Sequence, residues 1–158
     1  MPHDGQDMTL KTNPILADLL ALTAASLPAV DDILGRAKDA VRAVVEDNGR
    51  VSGALIEENQ TAAHGLAWLA TYAQSLHQMQ GWAERLQEAG KFGEVEQLIH
   101  QIAFGEYLWQ IYGGIQMNQG EIVRLQDIGL SQDDIRALME PSVMTLTQSG
   151  NTQAARAR

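Results

Sequence analysis

Residues 52–88 read "SGALIEENQTAAHGLAWLATYAQSLHQMQGWAERLQE", and their periodicity decides the fold class. One apolar stripe runs Leu55, Ala62, Leu66, Leu69, Ala73, Leu76, Ala83 and Leu86. A second, roughly a quarter-turn round, runs Trp68, Tyr72, Ser75, Met79 and Trp82. Steps of three, four and seven residues mark one face of an α-helix, so a single long helix is expected from Ser52 to about Glu88. Two adjoining stripes make a wide wedge suited to several neighbours rather than one. Ser52 is the expected cap, Gly81 an expected bend, and "EAGKFG" (88–93) the turn that follows.

Working outward toward the N-terminus, "EDNGR" (46–50) reads as a helix stop, with Gly49 free to take a left-handed cap. Before it, Val30, Ile33, Leu34, Ala37, Val41, Val44 and Val45 recur at helical spacing. Asn13-Pro14 reads as the start of an earlier helix carrying Ile15, Leu16, Leu19, Leu20 and Leu22. Pro28 should end or bend that helix, because proline lacks the N–H that the preceding turn needs. Residues 1–13 read as a flexible leader.

Toward the C-terminus, a fourth main helix is expected from about Glu94 to Tyr112, presenting Val95, Leu98, Ile99, Ile102, Ala103, Leu108 and Ile111. Gly113-Gly114 should stop it, and a loop of roughly 16 residues should follow, long enough to be functional or to wrap the bundle. "SQDDIRALMEP" (131–141) reads as a short capped helix, with Asp134 three residues after Ser131 and Pro141 as the stop. Residues 141–158 read as a linker and the start of a further helix, cut off at Arg158. The expected architecture is all-α: an antiparallel bundle of about four main helices over residues 14–140, plus a short C-terminal helix.

Composition narrows function mainly by exclusion. The 158 residues include 11 basic and 20 acidic ones, a formal charge of −9, so nucleic acid and anionic membranes are poor partners. No basic stripe with interleaved aromatics occurs. The absence of cysteine removes disulfides, thiolate zinc sites and a cysteine nucleophile, and suits a reducing cytoplasm. The longest apolar stretch, Ile15–Ala25, is interrupted by Asp18 and too short to span a bilayer, and the opening MPHDGQDM lacks the charged-then-apolar order expected of a signal peptide. A cytoplasmic location is expected.

No constellation of catalytic residues emerges. A ferritin-type di-iron site wants Glu-x-x-His on two helices, whereas Glu96 and His100 stand four apart and His64 follows Glu57 by seven. His64 and His77 lie about 140° apart on one helix and cannot converge on one ligand. Glu57 and Glu58 are adjacent and so diverge, and no Gly-x-Ser-x-Gly elbow is present. Gly113-Gly114 follows a helix instead of a strand, the wrong order for a dinucleotide cradle. Catalytic, cofactor and metal residues are therefore all expected to be absent from this segment. The aromatic row Trp68, Tyr72 and Trp82 reads as packing or a docking patch, and the loop residues Met117, Glu121 and Arg124 as a further contact surface.

Three stretches together, "AAHGLAWLATYAQSL" (62–76), "FGEVEQLIHQIAFGEYLWQIYGGIQMNQGEIVR" (92–124) and "SGNTQAARAR" (149–158), resemble a helical extension that precedes the catalytic region in a group of bacterial acyl-CoA dehydrogenases. The resemblance covers the chain from about Val51 onward. It implies a parent enzyme that uses FAD to remove an α proton and a β hydride from an acyl-CoA thioester. It also implies that the segment itself is non-catalytic and carries no flavin. The expected partners are its own catalytic flavin domain or a second subunit, including a homodimer. Two alternatives stay open on the residues alone: a stand-alone helical interaction or oligomerisation module, and a bundle holding its own small ligand or metal.

Overall fold

The structure is a computed structural model that describes residues 13–158, so the expected leader lies outside the described residues apart from Asn13. It is all-α, as the periodicity requires. The long helices are α1 (Leu19–Val45), α3 (Gln60–Glu88) and α4 (Glu94–Gly113). Shorter ones are α2 (Gly53–Glu58), α5 (Gln132–Leu138), α6 (Pro141–Ser149) and α7 (Gln153–Arg156). Two antiparallel pairs of two-residue strands complete the described chain: β1 (Glu46–Asp47) with β2 (Arg50–Val51), and β3 (Ile115–Gln116) with β4 (Ile122–Val123).

Three element boundaries differ from the sequence reading. Pro28 neither ends nor separates two helices; it sits inside the 27-residue α1. Its side is exposed, so the bond it cannot donate is lost where water can serve the freed carbonyl, while buried Leu27, Ala29, Val30 and Ile33 hold the backbone in register. Four expected main helices thus become three long ones. Asn13 caps no helix: its side chain accepts from the Ile15 N–H at 3.1 Å, a local turn, and α1 begins only at Leu19. The helix expected from Ser52 to Glu88 breaks at Asn59, whose φ of −115° and ψ of 32° are not helical. Ser52 does cap α2, accepting from the Leu55 N–H at 3.4 Å.

"EDNGR" does stop α1, but by reversal of the chain. Asn48 (φ 50°) and Gly49 (φ 76°) are both left-handed and join β1 to β2 as a two-residue hairpin, the conformation that Asn-Gly favours. Ser131 and Asp134 form the expected reciprocal cap of α5, with Ser131 N–H to Asp134 at 2.9 Å and Asp134 N–H to Ser131 Oγ at 3.2 Å. Pro141, read as a stop, is instead the first residue of α6, where its missing N–H costs nothing. The segment expected as linker therefore carries α6, and its Val143 and Leu146 are fully buried.

Helices α1, α3 and α4 run alternately up and down. Asn59 reaches the Val44 carbonyl, His77 meets Asp31 and Gln80 meets Thr23, which fixes α1 and α3 as antiparallel. Tyr72 pairs with Gln110 while the other end of α3 turns into α4 through 89–93, so those two are antiparallel as well. The core lies between them, with Ile33, Leu69, Leu76, Phe104, Leu108 and Ile111 among its fully buried members. The long loop after α4 wraps the bundle. It places Ile115, Val123, Leu125 and Ile128 in the core, the last two within a 3-10 turn (Leu125–Ile128). Helix α3 admits it at Gly65, where a Cβ would stand 2.5 Å from Val123 Cγ2.

Candidate functional site

The face shared by α3 and α4 gathers most of the residues singled out in the sequence. Trp82 and Met79 line an open groove of about 840 Å³, with Tyr107 and Ala103 contributed by α4. Arg85 borders it, and the rest of the lining is small or neutral polar, Gln74 and Gln78 included. Tyr72 stacks on Tyr107 with ring centroids 4.7 Å apart, and Trp68 meets Tyr72 edge-on at 6.4 Å. The Tyr72 hydroxyl donates to Gln110 Oε1 at 2.7 Å, and Gln110 in turn donates to Glu106 at 2.6 Å. Burial raises the Tyr72 phenol above its usual pKa, with the Tyr107 and Glu106 charges adding to the shift.

Met117 and Glu121 line a separate hollow of about 360 Å³ with His64, Gln60, Thr61 and Ile56. His64 joins the two places, because its Nε2 accepts from the Trp68 indole N–H at 3.0 Å. One ridge therefore runs from the hairpin hollow through His64, Trp68 and Tyr72 to the groove at Trp82. Arg124 is not part of it. In the β3–β4 hairpin Ile115 and Val123 are paired and buried, whereas Arg124 is exposed and lies against Gly114 and Ile122 on the opposite side.

A second feature of this face was not singled out from the sequence. Val95, Ile99 and Trp109 are 63%, 51% and 53% exposed, although Val95 and Ile99 had been read as part of the buried side of the helix. With half-buried Ile102 they recur at helical spacing along one side of α4. The opposite side carries the buried His100, Phe104, Leu108 and Ile111. Helix α4 is apolar nearly all round. In the sequence that suggests complete burial, which is why the outward stripe could not be separated from the core set.

The three described histidines do not converge. His64 serves Trp68, His77 Nε2 lies 2.7 Å from Asp31, and His100 Nε2 lies 3.0 Å from Thr23 Oγ1 inside the bundle. Glu96, four residues before His100, turns back to accept from the Gly93 N–H at 3.1 Å. Among the described residues no group of three or more His, Cys, Asp or Glu side chains is placed to hold a metal ion. No helix among them is long and apolar enough to cross a membrane.

Two buried polar clusters tie the helices together beneath this face. Thr23 donates to Gln80 Oε1 at 2.7 Å, and Gln80 donates to Glu84 and the Leu20 carbonyl. His100 Nε2 shares a hydrogen bond with Thr23 Oγ1, and the other ring nitrogen, Nδ1, is buried without a partner. Burial lowers the His100 pKa to about 4. One residue along, Gln101 is fully engaged. It accepts from the Leu16 N–H at 2.7 Å and donates to the carbonyls of Pro14 at 2.9 Å and Gly150 at 3.1 Å.

No family model matches the chain. It is 52% identical over 147 residues to (2S)-methylsuccinyl-CoA dehydrogenase of Cereibacter sphaeroides, an acyl-CoA dehydrogenase. The match takes in 92% of this chain and 26% of the enzyme, so the chain spans about a quarter of the length of the curated relative it matches. The resemblance seen in residues 62–76 and 92–124 therefore has a specific counterpart, and the partial coverage is consistent with a fragment of a longer enzyme.

Proposed function

We propose that this chain is the N-terminal helical, non-catalytic docking or dimerisation domain of an acyl-CoA dehydrogenase-like, FAD-dependent oxidoreductase. The observation that carries the reading is the partial match: 52% identity spread over 92% of this chain but only 26% of the enzyme. A helical body whose sheets are two pairs of two-residue strands fits a part placed ahead of a flavin-binding portion. The flavin site, the catalytic base and the acyl-CoA pocket then belong to the remaining three-quarters, and the substrate class is a branched dicarboxylic acyl-CoA thioester such as the relative's name describes. The domain's partner is its own catalytic portion or a second subunit. The candidate contact surface is the ridge of Trp68, Tyr72 and Trp82 with the hairpin residues Met117 and Glu121, while Arg124, on the opposite side of the hairpin, would meet a partner only separately.

Reading the gene past Arg158 tests this directly. The expected result is an open frame of several hundred residues. Its product should be yellow with bound flavin and should dehydrogenate methylsuccinyl-CoA when given an electron acceptor, while residues 1–158 alone stay colourless and inactive. A natural stop codon after Arg158 overturns the proposal. If such a short chain also self-associates, it is a stand-alone oligomerisation module.

A further inference from the structure

The ridge of aromatic residues is largely occupied by its own contacts, whereas the outward stripe of α4 stays more than half exposed at Val95, Ile99 and Trp109 and meets only Tyr112 and the short α7. We infer that Val95, Ile99, Ile102 and Trp109 form the seat on which the catalytic portion that follows Arg158 docks. This rests on the reading above, that the chain is the leading part of a longer polypeptide, and adds to the ridge and hairpin named there a separate surface for the catalytic portion itself.

Three observations support the seat. Over the 14 helical steps from Val95 to Trp109 the stripe is about 21 Å long, and Glu106 is its only charged interruption. Helices of such all-round apolar character are normally enclosed, so one side of α4 lacks the neighbour that its composition calls for. Second, the last described residues come to the same place. Ala155 of α7 is buried, and Arg156 and Arg158 border a hollow of about 590 Å³ whose apolar wall is Val95, Leu98, Ile99 and Ile102. The Arg158 guanidinium pairs with Glu94 in the first turn of α4 and holds the Glu94 carboxyl below the usual carboxylate range. A polypeptide continuing past Arg158 therefore leaves at the foot of the stripe. With the relative almost four times the matched length, a large body of chain must pack somewhere close to this exit.

Third, the charge is favourable. The chain has 20 acidic and 11 basic residues, yet the hollow on this side is bordered by Arg156 and Arg158 against Glu94, with Glu106 within the stripe. Two cations against two carboxylates leave this face near neutral, on a molecule whose formal charge is −9. An apolar surface closing on it buries little unpaired charge, which is the cost it would meet over the acidic remainder of the molecule.

Hydroxyl-radical footprinting of the intact longer polypeptide and of residues 1–158 distinguishes the outcomes. The expected result is that Val95, Ile99 and Trp109 are oxidised several-fold more slowly in the longer polypeptide, with Val51 and Met144, exposed elsewhere, unchanged. Ile99→Asp in the longer polypeptide should restore oxidation at Trp109. Because Ile99 makes no core contact, the helical circular dichroism of residues 1–158 should be unaffected by it. Equal rates in both lengths overturn the inference while leaving the proposed function standing. Protection that appears in residues 1–158 as concentration rises also overturns it, since the occupant is then a second copy. A frame that ends at Arg158 overturns both readings.

Discussion

The Thr23 hydroxyl and the His100 imidazole meet at 3.0 Å in the closed interior, tying the middle of α4 to α1. With no exposed surface and a pKa lowered to about 4 by burial, His100 stays neutral in the folded chain well below the pH at which it would protonate in the unfolded one. Its folded pKa is depressed, so the unfolded state binds the extra proton first. The stability is fully present above about pH 6.5 and drains away as pH falls toward about 4. Over that window the loss should be about 3 kcal/mol. Urea melts at pH 7, 6, 5 and 4.5 measure it, and in His100→Gln the slope between pH 6.5 and 5 should fall to the small remainder left by carboxylates such as Glu94.

Helices α4 and α6 touch backbone to backbone at Gly105 and Gly150. A Cβ on Gly105 would stand 2.7 Å from Asn151 N and 2.9 Å from the Leu146 carbonyl oxygen. Neither neighbour can swing aside, so Gly105→Ala should cost about 1–3 kcal/mol through forced separation of the helices. Gly35 in α1 is the matched control, with nothing within 4 Å of its Cβ position. Gly35→Ala should raise stability by about 0.5–1 kcal/mol, and thermal melts of the pair should move in opposite directions.

Gln101 connects the segment before α1, the middle of α4 and the end of α6 with three bonds. Gln101→Leu removes them all and leaves the part-buried Leu16 N–H and Pro14 carbonyl and the buried Gly150 carbonyl without partners. The expected cost is about 2–4 kcal/mol. Hydrogen exchange should show the loss first at the Leu16 amide, which Gln101 holds at 2.7 Å.

The double glycine after α4 divides its labour. Gly113 is still helical and has no atom within 4 Å of its Cβ position, so Gly113→Ala should be tolerated. Gly114 has φ 135°, and its Cβ would lie 2.5 Å from Ile122 Cγ2. Gly114→Ala should cost more than about 1 kcal/mol and loosen the β3–β4 hairpin in particular. Proteolysis within residues 115–124 should accelerate in that variant and not in Gly113→Ala.

How far the sequence reaches is visible in single residues. Ser131 and Asp134 form the cap that their spacing announces, because capping needs only a serine and a carboxylate three positions apart. The apolar steps of residues 52–88 likewise determined that they are helical, since no other local structure buries such a pattern on one side. The sequence also bore the likeness to an acyl-CoA dehydrogenase, which is carried by residue identity and not by geometry. Proline chemistry alone could not determine the role of Pro28. Whether it ends a helix depends on whether the lost bond faces water and whether the flanking residues are held by a core, and both are matters of packing. Nor could periodicity separate Val95, Ile99 and Trp109 from Leu98, Phe104 and Leu108, because α4 is apolar on every side. Only the tertiary structure decided which side α1, α3 and α6 enclose, and so which side remains open beside Arg158.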